Sequence, residues 1–389
     1  MNEPSDAASA VPLRADPSRL RYIDALRGIA ALLVVWLHSA SFLYRTSEQT
    51  RESSGWLYSV ITRFDVGHTG VVVFFLISGF VIPFSIRPDR PAPVRSFLIR
   101  RFLRIYPAYW LSVPIAAVAI FWIWGTDFSG REILINLTLL QDLFGVRPAE
   151  GVYWTLIVEL VFYALCVVLL LSGSLFDMRR IAVLAAALGV VFTAALAMSW
   201  SKGKVMNSPG VFWFLNLSVM FCGTLFRNRL SDGPNRSRLV DVLFWAMVLA
   251  YVVALPLGTY VATGWRNNTM LPYAVGFLIF IVGTRVLRIE TRLTDWLGAI
   301  SYSIYLFHTI VILLLTWWLL RQPVDSAWRT QHLGVYMAAA LCATLAVASL
   351  VYLVVERPFI RLGHRLASSL QGRYVSPADE TRKRVSPPK

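Results

Sequence analysis

Arg27 and His38 stand in the first long apolar run of the chain, LRGIAALLVVWLHSASFLY, and no other pair in the sequence so directly invites chemistry. Eleven residues is close to three helical turns, so on one helix both side chains share a face, about 16 Å apart along the axis. In a bilayer that spacing sets a guanidinium near one surface and an imidazole on the same face deep in the hydrocarbon. Ionisable groups at that depth are costly and by default mark a site, and an imidazole can give or take a proton near neutral pH. The bland readings are a membrane-edge anchor for Arg27 and a core histidine for His38. Asp24, three residues before Arg27, falls near the same stripe and offers it a carboxylate partner.

Three further blocks carry polar groups into apolar surroundings. RPDRPAPVRSFLIRRFLRIYPAYW gathers Arg87, Arg90, Arg95, Arg100, Arg101 and Arg104. Arg101 and Arg104 are three apart and share a helical face, and arginine forks bind phosphate oxygens two at a time. A loop between two spans is also expected to be basic for topological reasons alone. GVYWTLIVELVFYAL sets Glu159 inside an apolar helix, with Tyr163 one turn on and Trp154 at the interface. A carboxylate there needs a partner or a proton; it could orient a histidine, hold an arginine, bind substrate hydroxyls or glue two helices. LGAISYSIYLFHTIV puts Ser301, Tyr305 and His308 on one face, where interhelical hydrogen bonding competes with a catalytic role. Glu356 and Arg357, just before Pro358, read as an interfacial ion pair followed by a helix-ending proline.

The elements that must position these groups are membrane helices. The chain has 389 residues, of which 57% are hydrophobic and only 15% charged, and a mean hydropathy of +0.59; a soluble domain carries about a quarter charged residues. Ten runs approach the roughly 20 residues a span requires: 26–44, 67–86, 106–124, 154–172, 180–199, 209–226, 239–257, 269–286, 297–319 and 334–354. The segment 131–143 is too short and polar to cross and reads as interfacial or re-entrant. With the N-terminus inside, the inner segments hold 27 of the 37 Lys and Arg residues, so both termini are expected in the cytoplasm. The fold class expected is therefore an all-α integral membrane protein of about ten helices. A disordered N-terminus (1–18), one membrane domain (19–366) and a disordered basic tail (367–389) complete the plan.

The net charge of +15 is accounted for by this inner-surface bias and calls for no nucleic acid. Cys166, Cys222 and Cys342 all fall within spans and read as small core residues, and the five histidines show no metal-ligand spacing. No internal repeat is evident.

The motifs together resemble the membrane acyltransferase 3 family. The resemblance rests on Arg27-x10-His38, GVVVFFLISGFVI at 70–82, Arg101-x-x-Arg104, WTLIVELVFY at 154–163 and SYSIYLFH at 301–308. These occur in the family's order over nearly all of the hydrophobic core, without the extracytoplasmic hydrolase-like domain that some members carry. The resemblance implies O-acyl transfer to polysaccharides or related acceptors, with acyl-CoA (acetyl-CoA foremost) as donor, in the bacterial cytoplasmic membrane. On that reading Arg100, Arg101 and Arg104 hold the donor's phosphates. His38 serves as general base or as nucleophile, with Arg27 and Glu159 beside it, and Asp24, Trp154, Tyr163, Tyr305 and His308 attend the substrates. Acceptor choice would lie in the outer loops, where Trp56, Tyr58, Trp265 and Trp328 could stack on sugars or anchor the interface. The competing reading is a transporter or flippase for a glycolipid or anion, which would use the same buried charges to pass a substrate.

Overall fold

The computed structural model describes residues 20–45, 48–202, 209–230, 237–264 and 269–372. The expected N-terminal segment, the end of the tail and Trp265 lie outside these. Among the described residues the secondary structure is entirely helical. The first helices are α1 (Arg21–Leu43), α2 (Glu48–Arg63), α3 (Val66–Val81), α4 (Pro93–Trp124) and α5 (Gly130–Leu137). After a short loop come α6 (Trp154–Leu171), α7 (Met178–Ser201), α8 (Pro209–Leu230), α9 (Arg238–Leu249) and α10 (Leu255–Thr263), the last two joined by a π turn. The bundle closes with α11 (Leu271–Arg285), α12 (Arg292–Leu320), α13 (Leu333–Val351) and α14 (Arg357–Gly372).

Nine of these segments, counting α9 with α10 and α13 with α14 as single runs, are long and apolar enough to cross a bilayer. The eighth expected run, 269–286, forms α11, whose 15 residues rise about 22 Å. It runs beside α3, with Gly276 pressed on Val72, and reaches the start of α1, with Gly283 pressed on Leu26. The segment at 131–143 does not cross: it folds into α5, capped by a Ser129–Glu132 box, and a 3-10 turn at Gln141–Phe144.

α1 occupies the centre because small residues let its neighbours approach its backbone. Gly70 of α3 lies on the Ala30 carbonyl, Gly298 of α12 lies on Asp24, and Gly28 faces Leu297; none has room for a Cβ. Gly79 and Gly223 do the same for the crossing of α3 and α8, the small-residue contact that drives helix association in lipid. A bidentate Arg21–Asp295 pair, 2.7 Å at its shortest, ties the starts of α1 and α12 together. We call this the basic end, since the start of α4 also lies there.

The end of the chain departs from expectation. Pro358 does not stop the helix: a π turn at Tyr352–Glu356 precedes it, and the helix continues through the proline as α14. α14 runs back along α4, with Gly363 against Leu103 and Arg100, and remains helical through Gly372 although a disordered tail was expected from 367. Cys166 and Cys222 are buried as expected, whereas Cys342 is exposed on α13.

Candidate active site

Seven of the residues singled out in the sequence converge on one cavity of about 750 Å³, counting the space at its mouth. Arg27 from α1, Arg101 and Arg104 from α4, Glu159 and Tyr163 from α6, and Ser301 and Tyr305 from α12 all line it, with Ser78, Thr155 and Tyr302 between them. Three guanidiniums against one carboxylate give the wall a net positive charge. Such a lining suits an anionic ligand, and low-dielectric walls strengthen the field inside.

Each charged group is held. Arg27 Nη1 lies 3.4 Å from the Asp24 carboxylate one turn earlier. Arg101 donates to Ser85 Oγ at 2.8 Å, and its guanidinium lies over the rings of Phe97 and Tyr163, each 5.5 Å to the centroid. The Glu159 carboxylate accepts hydrogen bonds from Tyr163 Oη at 2.6 Å and Ser78 Oγ at 3.3 Å. Among the described residues no hydrogen bond joins Glu159 to His38. Tyr305 donates to the Val152 carbonyl and meets the Thr155 hydroxyl at 2.7 Å, which fixes the start of α6 against α12.

Arg104 supplies a correction. Its partner is Glu356, 3.9 Å away and 1% exposed, whose other oxygen accepts a 2.8 Å hydrogen bond from Ser303. The sequence suggested an interfacial pair with Arg357. The π turn, by adding a residue to the helical turn, rotates Glu356 inward. A carboxylate just before a proline carried no sign of this; the isolated acidic residue at the end of an apolar run was the only signal available.

Other expected site residues stand outside the cavity wall. Arg100 is half-buried and reaches the Ser85 carbonyl at 3.4 Å. Trp154 packs between His68 and Phe75, each 6.2 Å between ring centroids. His38 lies further along α1, where its ring meets His308 at 5.1 Å and Phe42 at 6.5 Å. The link from cavity to His38 runs through α12: Tyr305 lines the cavity, its ring is 6.0 Å from His308, and His308 adjoins His38. At the end opposite the basic one, just before α6, Glu150 is 5% exposed and lies beside Thr309, and burial pushes its carboxyl up to about 7. Sequence reading passed over it as a loop residue.

An all-helical bundle of membrane-crossing length, enclosing a cationic cavity, defines an integral membrane protein with an internal polar site. The chain belongs to the acyltransferase 3 family, whose model, described as an acyltransferase domain, matches residues 20–353. It is a membrane acyltransferase. Among similar proteins, the exopolysaccharide production protein ExoZ of Rhizobium meliloti (strain 1021) is 28% identical, covering 80% of this chain and 95% of its own length. Nodulation protein 10 of Rhizobium leguminosarum bv. viciae is 26% identical over 91% and 96%. Acyltransferase MdmB of Streptomyces mycarofaciens is 27% identical over 88% and 92%. No solved structure matches the chain.

Proposed function

We propose that this acyltransferase moves an acyl group, acetyl foremost, from cytosolic acyl-CoA to a hydroxyl of a carbohydrate or glycoconjugate, in the bacterial cytoplasmic membrane. The observation that carries the reading is the cavity lined by Arg27, Arg101 and Arg104 in a chain of this family. Coenzyme A bears several phosphate charges at one end and its thioester at the end of a thin arm, and arginine forks are suited to the phosphates. Arg101 and Arg104 sit early in α4, at the basic end, with Arg100 next to them in sequence and reaching the Ser85 carbonyl. The rise of α1 gives about 16 Å between Arg27 and His38, a length the arm can span. The acceptor comes from the opposite end, past Trp154. Similarity to ExoZ, an exopolysaccharide production protein, favours a carbohydrate there.

In the reaction a ring nitrogen of His38 takes the proton of the acceptor hydroxyl as its oxygen attacks the thioester carbonyl. The tetrahedral intermediate collapses with cleavage of the C–S bond, the ester forms, and the departing thiolate takes the proton from the imidazolium. Attack by His38 itself, with a transient acyl-imidazole, conserves the same atoms in two steps. Arg27, held by Asp24, lies where negative charge on the donor can be met. Glu159, held by Tyr163 and Ser78, offers a carboxylate to sugar hydroxyls.

The test uses the full chain in lipid nanodiscs with radiolabelled acetyl-CoA and an oligosaccharide acceptor. Label should pass to the acceptor, and His38→Ala should abolish the transfer while protein remains in the membrane fraction. Transfer by His38→Ala at the rate of the unaltered protein would remove His38 from the mechanism.

A further inference from the structure

His308 is fully buried on α12, and its two ring nitrogens differ sharply in their surroundings. Nδ1 lies 2.8 Å from the Tyr305 carbonyl and 3.2 Å from that of Ile304. A carbonyl oxygen can only accept, so Nδ1 must carry the hydrogen and Nε2 must present a lone pair. That lone pair is buried and has no hydrogen-bond partner. A buried acceptor left unmade is costly, by about 1–3 kcal/mol, and such an orphan calls for an explanation.

The ring that lies beside it is that of His38. The two rings meet edge to face, 67° between planes and 5.1 Å between centroids. At that spacing a turn of the His38 ring brings one of its N–H groups within hydrogen-bond reach of Nε2. Of the other groups near His38, Phe42 is a hydrocarbon ring, and Asp65, which acts on His38 electrostatically, has its Oδ1 engaged as the N-cap of α3, accepting from the His68 backbone N–H at 2.7 Å. His308 is therefore built as a fixed acceptor, its tautomer set by its own helix backbone, beside a histidine that retains partial access to its surroundings.

Resting on the acyl-transfer reading of the site, we propose that His308 is the positioning residue for His38. It accepts the N–H of one His38 nitrogen, fixes the tautomer and orientation of that ring, and leaves the other nitrogen as the lone pair that receives the acceptor's proton. No substrate contact is assigned to His308 here, and the backbone carbonyl of Tyr305 completes the chain: Tyr305 C=O accepts from His308 Nδ1–H, and His308 Nε2 accepts from His38 N–H. The arrangement gives His38 one nitrogen for catalysis and one for anchorage, which a base must have if it is to present its lone pair in a set direction.

The experiment compares His308→Gln, His308→Asn and His308→Leu in nanodiscs, measuring kcat together with KM for acetyl-CoA and for an oligosaccharide acceptor. A glutamine carbonyl oxygen comes near the place of Nε2, whereas that of asparagine comes near Nδ1. We expect His308→Leu and His308→Asn to lower kcat by about 10- to 100-fold with both KM values held within about 2-fold, and His308→Gln to recover most of the loss. Equal kcat for the Gln and Asn variants, or an unchanged kcat in the Leu variant, overturns the proposal. A parallel rise in both KM values with kcat preserved overturns it too, since that is the mark of substrate binding. Absence of transfer by the unaltered protein would instead strike the acyl-transfer reading, and this inference with it; turnover by the unaltered protein separates the two.

Discussion

Arg104 on α4 and Glu356 in the π turn before α14 face each other across 3.9 Å, one at the wall of the cavity and the other behind it. The pair fastens the amphipathic last helix to the arginine-bearing start of α4, so the C-terminal segment braces the site although it contributes nothing to its lining.

Removing one partner of a buried pair leaves the other uncompensated, at about 3–5 kcal/mol in full burial. The Arg104 side chain is 31% exposed, so the lower end applies. Glu356→Ala should cost about 3 kcal/mol, and Glu356→Gln, which keeps the Ser303 hydrogen bond, less. Thermal unfolding in detergent followed by tryptophan fluorescence measures both.

Arg101→Ala and Arg104→Ala should each raise KM for acetyl-CoA about 10- to 100-fold, the weight of a charge-assisted hydrogen bond, with a smaller change in kcat. Steady-state kinetics decides this. If KM for the donor stayed put while the amount of inserted protein fell, the arginines would be serving topology alone.

Glu150 gives the protein a pH dependence of stability. Its carboxyl is raised by burial to about 7, so the folded state binds a proton more tightly than the unfolded one. Stability is then unaffected below about pH 4.5, falls as pH rises towards 7, and levels off above, by about 3 kcal/mol at most. Glu150→Gln should flatten the fall of the unfolding temperature between pH 5 and 8. An equal slope in the variant would assign the dependence to another group.

Gly79→Ala should be far more damaging than its single methyl suggests. The new Cβ would meet the Met220 carbonyl, a backbone atom that cannot step aside without parting α3 from α8. A loss of the monodisperse peak in size-exclusion chromatography is expected, while Gly125→Ala, in open space at a loop, should leave the peak intact despite its positive φ of 62°.

The membrane class, the helical content and most spans were legible because lipid imposes one rule on every residue of a span, and composition alone reports it. The site was legible in part for the same reason. Arg27, Arg101, Arg104 and Glu159 stand out in apolar runs, and groups so costly to bury are kept where they are used. Glu356 was misread because its direction depends on a one-residue change in helical phase, which no local pattern announces.

By itself the sequence determined which residues are out of place in lipid, along with the helix-scale spacing that puts Arg27 and His38 on one face. The tertiary structure alone decided their partners: Glu159 for Tyr163 and Ser78, Arg104 for Glu356, His38 for His308. Periodicity along a chain fixes a side chain's direction about its own helix, but which helix stands opposite, and at what depth, follows from backbone contacts at Gly28, Gly70, Gly79 and Gly298 that are made only when the whole bundle closes.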